Sequence, residues 1–271
     1  MEKEFFQEFF TRVEHLFSKD EIEKIMNAKI FIAGLGGVGS STAYFLARYG
    51  VKNFVLVDPD VVEISNLNRQ FFFYPDIGTP KVFAIKKLIN LVNPYTNVKA
   101  YYCRIEDLGE ELEDIIEWSD IVVDGMDNYV SKVRLSRLAK KKKKPLVHAS
   151  GLGSAAKVTI FTPDGPYYEE VFGLPSKNKP LEELKTEDFK EYMEKAFLTY
   201  KEEYLPEDLI RKMISGEIPF QVLLPATILS GLLAATEIIK ALIGRPFIKA
   251  PQILYIDLWT AKLALTKAEP W

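Results

Sequence analysis

The sequence predicts an α/β fold: a Rossmann-like sheet, parallel in its N-terminal half and antiparallel in its C-terminal half, with helices on both faces. Three observations carry that expectation. First, the apolar run Ile30-Phe31-Ile32-Ala33 passes directly into Gly34-Leu35-Gly36-Gly37-Val38-Gly39. A helix-like segment, Ser40 to Tyr49, and a second apolar run, Phe54 to Val57, follow and end in Asp58. Strand, glycine turn, helix and strand in that order make a mononucleotide-binding βαβ unit. Second, Ile121-Val122-Val123 is another continuous apolar run, as expected of a parallel strand buried on both faces. Third, Ile253 to Asp257 and Lys262 to Leu265 read as an antiparallel pair that completes the sheet.

The remaining elements fall between these landmarks. Phe5, Phe6, Phe9 and Phe10 share one apolar face, and Leu16, Ile22, Ile25 and Met26 continue the period, so residues 4–26 read as two short helices. Ser18 and Glu21 have the spacing of a capping box for the second. Val82, Ile85, Leu88, Ile89 and Val92 mark a helix that Asn93-Pro94 ends. A strand over 98–103, a short helix over 112–118 and a helix from Tyr129 to Lys144 follow, with Asp127 or Asn128 available as the N-cap of the last. The five lysines 140–144 read as a solvated helix end, with a docking patch for an acidic partner or tRNA as the alternative. His148 lies in an apolar run, where a satisfied core histidine is expected. Prolines punctuate 162–220, with helices over 182–204 and 207–215, and a long helix spans Ala226 to Ile243 before the stop at Gly244. The expected divisions are an N-terminal helical segment (1–28), a nucleotide-binding Rossmann-like domain (29–161), a helical insertion (162–220), and a C-terminal helix with antiparallel strands (221–271).

The glycine turn carries the chemistry. Gly34, Gly36 and Gly37 let the backbone turn and approach a phosphate, and Gly39 lets the following helix lie close to the sheet while its N-terminal N–H groups face an anion. Asp58, 19 residues beyond Gly39, stands where a carboxylate can accept hydrogen bonds from ribose hydroxyls. Alone, this pattern fits a dinucleotide dehydrogenase. The next residues favour a nucleoside triphosphate instead, because Arg69 and Lys81 near the turn suit several phosphate charges and have no use beside a nicotinamide ring.

Five motifs in order resemble one family: Gly-Leu-Gly-Gly-Val-Gly at 34–39, Asp-Pro-Asp at 58–60, Ser-Asn-Leu-Asn-Arg-Gln at 65–70, Gly-Thr-Pro-Lys at 78–81 and Asp-Gly-Met-Asp-Asn at 124–128. The family is that of the ubiquitin-activating-enzyme-like adenylyltransferases (ThiF/MoeB/HesA), which includes enzymes that activate sulfur carriers. The resemblance implies ATP and Mg²⁺ as cofactors and attack of a substrate carboxylate on the α-phosphate with loss of pyrophosphate. It gives Asp58 and Asp60 to the nucleotide, Arg69 and Lys81 to the triphosphate, Asn66 and Gln70 to its orientation, and Asp127 to the metal. It also implies a homodimer in which Arg12 reaches the neighbour's ATP. The expected partner is a ubiquitin-like sulfur-carrier protein. The run Arg12-Val-Glu-His-Leu leans instead towards the branch that dehydrates threonylcarbamoyl adenosine in tRNA, and the absence of the zinc cysteines found in many carrier-activating relatives weakens the carrier reading.

Composition bounds these expectations. At 48% apolar and 27% charged, the 271 residues suit one globular domain, with or without a sub-domain. A net charge of −3 gives no general attraction to nucleic acid. Cys103 is the only cysteine, which excludes an internal disulfide framework and any Cys-x-x-Cys zinc site. No uninterrupted apolar run approaches the ~20 residues of a membrane span, so no membrane association and a cytoplasmic location are expected.

Overall fold

The computed structural model describes residues 1–199 and 206–267. In chain order the elements are α1 (Glu2–Phe10), α2 (Lys19–Asn27), β1 (Lys29–Ala33), α3 (Gly37–Arg48), β2 (Asn53–Val57), α4 (Lys81–Val92), β3 (Asn97–Tyr101), α5 (Glu111–Trp118) and β4 (Ile121–Asp124). There follow α6 (Tyr129–Lys141), β5 (Leu146–Leu152), β6 (Ala155–Phe161), α7 (Tyr168–Val171), α8 (Lys190–Thr199), α9 (Glu207–Ser215), α10 (Leu224–Leu242), β7 (Gln252–Asp257) and β8 (Lys262–Lys267). The expected capping box is present: Glu21 N–H donates to Ser18 Oγ and Ser18 N–H to Glu21 Oε2.

The described strands form one sheet in the order β3-β2-β1-β4-β5-β6-β7-β8. Strands β3, β2, β1, β4 and β5 run parallel, and each pairing from β5 to β8 is antiparallel. Because β1 pairs with both β2 and β4, the winding reverses beside β1, and a crevice opens past the C-terminal ends of those strands. Side chains on β1 show how the two faces fill. Ile30 and Ile32 join the core beneath α2, α3, α4 and α10, while Phe31 and Ala33 join the one beneath α5, α6 and α7.

Four boundaries differ from the sequence reading, each for a local reason. The strand expected over 98–103 ends at Tyr101, since Arg104 N–H donates to Asp107 Oδ2 and starts a 3-10 turn at Ile105–Leu108. Cys103 and Arg104 therefore lie past the strand. The helix expected over 129–144 stops at Lys141, with Lys143 in the left-handed region at φ 54°. The helix expected over 182–204 is divided into 3-10 turns at Leu181–Glu183 and Thr186–Phe189 and then α8, because Asp188 Oδ2 accepts from Lys185 N–H and restarts the backbone ladder; residues 200–205 lie outside those described. Finally, α10 is longer and more apolar than the search for an uninterrupted run indicated. Its 19 residues, with mean hydropathy 1.4, suffice by length and composition to cross a membrane. It packs instead as a core helix against α3, β5 and β6, and its buried Glu237 accepts from Ile248 N–H and Lys240 Nζ.

The lysine run is tied down. Lys141 pairs with Glu113, Lys142 with Glu113 and Glu117, and Lys140 Nζ donates to the Gly165 carbonyl. The Lys141 and Lys142 pairs clamp the end of α6 to α5 and the Lys140 bond ties it to the turn after β6, so the run is more than a solvated end.

Candidate active site

A cleft of about 1310 Å³ runs along the C-terminal ends of the parallel strands. Gly34, Gly36, Gly37, Asp58, Asp60, Asn66, Arg69, Gln70, Lys81 and Asp127 all line it. At the turn, Gly34 has φ +86°, and a Cβ there would lie 2.6 Å from the Gly125 backbone. A Cβ on Gly39 would lie 1.9 Å from the Gly34 carbonyl oxygen, so the crowding at Gly39 comes mainly from the turn folding back on itself. Gly36 has nothing within 4 Å of its missing Cβ, leaving its backbone open to the cleft, and Gly37 faces Thr227 at the start of α10.

Asp58 fastens two loops. Its Oδ2 accepts from Leu35 N–H at 2.6 Å and its Oδ1 from Asp60 N–H at 2.8 Å. Burial pushes its carboxyl above the ordinary range, against the pull of Lys81 and the two amides. Lys81 is buried, and its Nζ lies 2.8 Å from Asp60 Oδ2. Arg69 Nη1 donates to the Ser65 carbonyl at 2.5 Å and to Asn68 Oδ1 at 3.0 Å, while Thr227 Oγ1 donates to the Arg69 carbonyl. Asn66 is buried and partly committed, its Oδ1 accepting from Glu63 N–H. Gln70 differs: its Oε1 is buried without a hydrogen-bond partner.

Asp127 and Asn128 divide the two roles considered for them. Asn128 caps α6, its Oδ1 accepting from Ser131 N–H at 3.1 Å, while the exposed Asp127 carboxylate lines the cleft. Among the described residues no group of three His, Cys, Asp or Glu is placed to hold a metal. A lone carboxylate still fits Mg²⁺, which is commonly held by one or two carboxylates together with substrate phosphates and waters. Arg12 is exposed in the turn after α1 and does not line the cleft.

Sequence reasoning missed one cluster. Asp124 does not join Asp127 as a second free acid: it is 1% exposed, and Lys132 Nζ donates to both of its oxygens at 2.9 and 3.1 Å. His148 Nδ1 stands 3.1 Å from Asp124 Oδ2, and Tyr168 Oη 3.5 Å from the same nitrogen. Burial opposes ionisation of Asp124, yet the Lys132 charge and the His148 contact hold its carboxyl below the usual range. His148 is satisfied, as expected, but it lines the cleft rather than lying sealed in a core. The signal available in sequence was the spacing of Asp124 and Lys132, one at a strand end and one in the first turn of the next helix.

The match to a family model decides between the nucleotide-binding readings. The model described as ThiF family covers residues 11–270. The chain belongs to the ThiF family. Curated relatives include the SAMP-activating enzyme E1 of Haloferax volcanii, 32% identical over 150 residues, covering 55% of each chain. The molybdopterin-synthase adenylyltransferase of Haemophilus influenzae is 33% identical over 59% of this chain and 66% of its own. The sulfur carrier protein ThiS adenylyltransferase of Escherichia coli is 33% identical over 53% of this chain and 57% of its own. This ThiF-family chain therefore spans roughly 55 to 66% of the length of these relatives. Among solved structures, Escherichia coli MccB with ATP shares the fold at TM-score 0.68 and 20% identity, over 92% of this chain and 66% of that one.

Proposed function

We propose that this ThiF-family protein is an ATP-dependent adenylyltransferase that activates the C-terminal carboxylate of a ubiquitin-like sulfur-carrier protein and releases pyrophosphate. One observation carries the reading: Arg69 and Lys81 line the same cleft as the open backbone at Gly36 and the carboxylate of Asp127. Two cations and a metal-competent carboxylate suit a triphosphate and are redundant for a nicotinamide. The names of the relatives, each an activating enzyme or adenylyltransferase, support the same chemistry.

In this reading the Asp58 carboxylate holds the ribose hydroxyls while the turn 34–39 faces the phosphates. Lys81 and Arg69 offset the charge that builds on the α-phosphate and the departing pyrophosphate, and Asp60 acts through Lys81. Gln70 turns its unpartnered Oε1 to a donor on the ligand or its water. Asp127 would hold Mg²⁺, which supplies charge neutralisation at the phosphate oxygens. The protein does no covalent work in this step; positioning and preorganised charge carry it. Arg12, remote from its own cleft, serves the neighbour's nucleotide in a homodimer.

Pyrophosphate exchange tests the proposal. Exchange stimulated by a carrier protein ending in Gly-Gly supports it, and exchange stimulated only by threonylcarbamoyl-adenosine tRNA would contradict the carrier assignment.

A further inference from the structure

We propose that His148, oriented by Asp124, is the base of a second step in the same cleft, in which a primary amine takes the acyl group from the acyl adenylate and an amide forms. The inference rests on the adenylation reading above and extends it from activation to ligation. It begins with an imidazole that nucleotide binding does not need. The chain has two histidines, and His15 sits at the surface on the turn after α1, with its side chain 93% exposed. His148 is therefore the one imidazole lining the cleft.

Its setting is that of an oriented base. Nδ1 lies 3.1 Å from a buried carboxylate oxygen, so this nitrogen carries the proton and donates to Asp124. The ring is packed edge to face against Tyr168 at 5.4 Å and Phe172 at 5.0 Å. With Nδ1 committed and the tautomer set, Nε2 holds the free lone pair, and among the described residues it has no partner. A carboxylate fixing one nitrogen so that the other accepts a proton is the logic of the hydrolase triads, here without their serine.

The ring's protonation state suits the task. Among the described residues, Asp124 on β4, Lys132 on α6, Lys157 on β6 and Tyr168 on α7 are the titratable groups around the ring. Burial first, and then Lys132 and Lys157, push the imidazole below its ordinary value against the pull of Asp124, so it is neutral near pH 7. A neutral base with a free lone pair suits a nucleophile that sheds a proton as it attacks, as an amine does when it becomes an amide. The acceptor is not the chain's own thiol. Cys103 follows β3, four strands away from β5 in the sheet, or roughly 19 Å at ~4.8 Å per strand.

The step balances without an oxidant or reductant. The amine nitrogen attacks the acyl carbon, a C–N bond forms, and the N–H proton passes to His148 Nε2. The bond between the acyl carbon and the phosphate-bridging oxygen breaks, and AMP leaves with the electron pair. The imidazolium then returns its proton to solvent.

The test uses the full chain with ATP, Mg²⁺, a carrier protein ending in Gly-Gly, and methoxyamine, whose weakly basic nitrogen stays unprotonated near neutrality. Pyrophosphate exchange reads the first step and amide formation above the enzyme-free rate reads the second. His148→Gln, which keeps a donor for Asp124, is expected to slow amide formation about 100-fold while exchange falls less than about 3-fold. The wild-type amide rate should also fall in acid, at a pH below the ordinary imidazole range because His148 is held low, a limb absent from the variant. Equal loss of both rates, or amide formation unchanged in the variant, would overturn the inference and leave adenylation standing. A wild-type protein without exchange overturns the adenylation reading, and this inference with it.

Discussion

Lys81 Nζ lies 2.8 Å from Asp60 Oδ2, and the two residues are joined a second time where Lys81 N–H donates to the Asp60 carbonyl at 2.9 Å. Together with the bridge between Val61 and Pro80, these contacts close the base of a loop that carries Asn66, Arg69 and Gln70 into the cleft. The partners differ in exposure: the Lys81 side chain is 8% exposed and that of Asp60 61%. Lys81→Met is expected to lower ATP affinity at least 10-fold, because it removes a desolvated phosphate partner. Asp60→Asn should leave affinity equal or higher by freeing that charge. Calorimetric titration of ATP into the two variants checks both, and a large loss in Asp60→Asn would place Asp60 on the nucleotide itself.

Asp127→Asn should abolish turnover while leaving the melting temperature within a degree or two of wild type. Asn128 already caps α6, so the change at 127 removes a carboxylate and no cap. Asn128→Ala should do the reverse, costing about 1 kcal/mol of stability with turnover retained. Thermal melts and exchange assays on the pair separate the two roles, and normal turnover in Asp127→Asn would remove the metal assignment.

Lys132→Met strands the Asp124 carboxylate in the interior with only His148 and an amide as partners. A loss of about 3 kcal/mol is expected, since breaking a buried pair costs more than never having built it. Urea midpoints at pH 7 test this, and a loss below about 1 kcal/mol would mean that water already reaches Asp124.

Stability should also depend on pH in the weakly acidic range. The folded state holds His148 below its ordinary pKa, so folding favours the neutral ring. That contribution is present above the unfolded value of about 6.5 and is lost as pH falls towards the folded one. Asp124, held low, contributes above the unfolded value near 3.9 and loses its contribution only in stronger acid. Urea midpoints should therefore decline as pH falls below about 6.5, and His148→Gln should flatten that decline.

Cys103→Ser should retain adenylation, with no enzyme thioester formed. On a strand over 98–103, alternation would turn Cys103 and Arg104 to opposite faces. Both residues instead follow the strand and line the cleft, and Cys103 is only partly buried. The conclusion survives on different grounds: burial, and then Asp107 and Glu111, push the Cys103 thiol up and disfavour the thiolate. A reductant-sensitive covalent complex with a carrier, lost in Cys103→Ser, would contradict this.

What the sequence revealed followed from short-range rules. The glycine turn, Asp58 and the apolar strands announced the βαβ unit because each obeys a local period or backbone demand. The loop 58–81 was legible as a set of charges, although which charge would meet which was not: the Lys81–Asp60 pair spans 21 residues. His148 was read correctly as satisfied and incorrectly as sealed away, because its partners, Asp124 on β4 and Tyr168 on α7, lie 24 and 20 residues away in sequence. The helix expected over 182–204 is broken at its start and becomes α-helical only from Lys190, for a local reason that propensity underweights, the Asp188 cap on Lys185 N–H.

The central claim is that the cleft is a triphosphate site, and competitive calorimetry on the purified full chain tests it most directly. With Mg²⁺ present, ATP should bind with measurable heat, NAD should neither bind nor compete, and Arg69→Ala with Lys81→Ala should abolish the signal. Tight NAD binding with no heat from ATP would contradict the account.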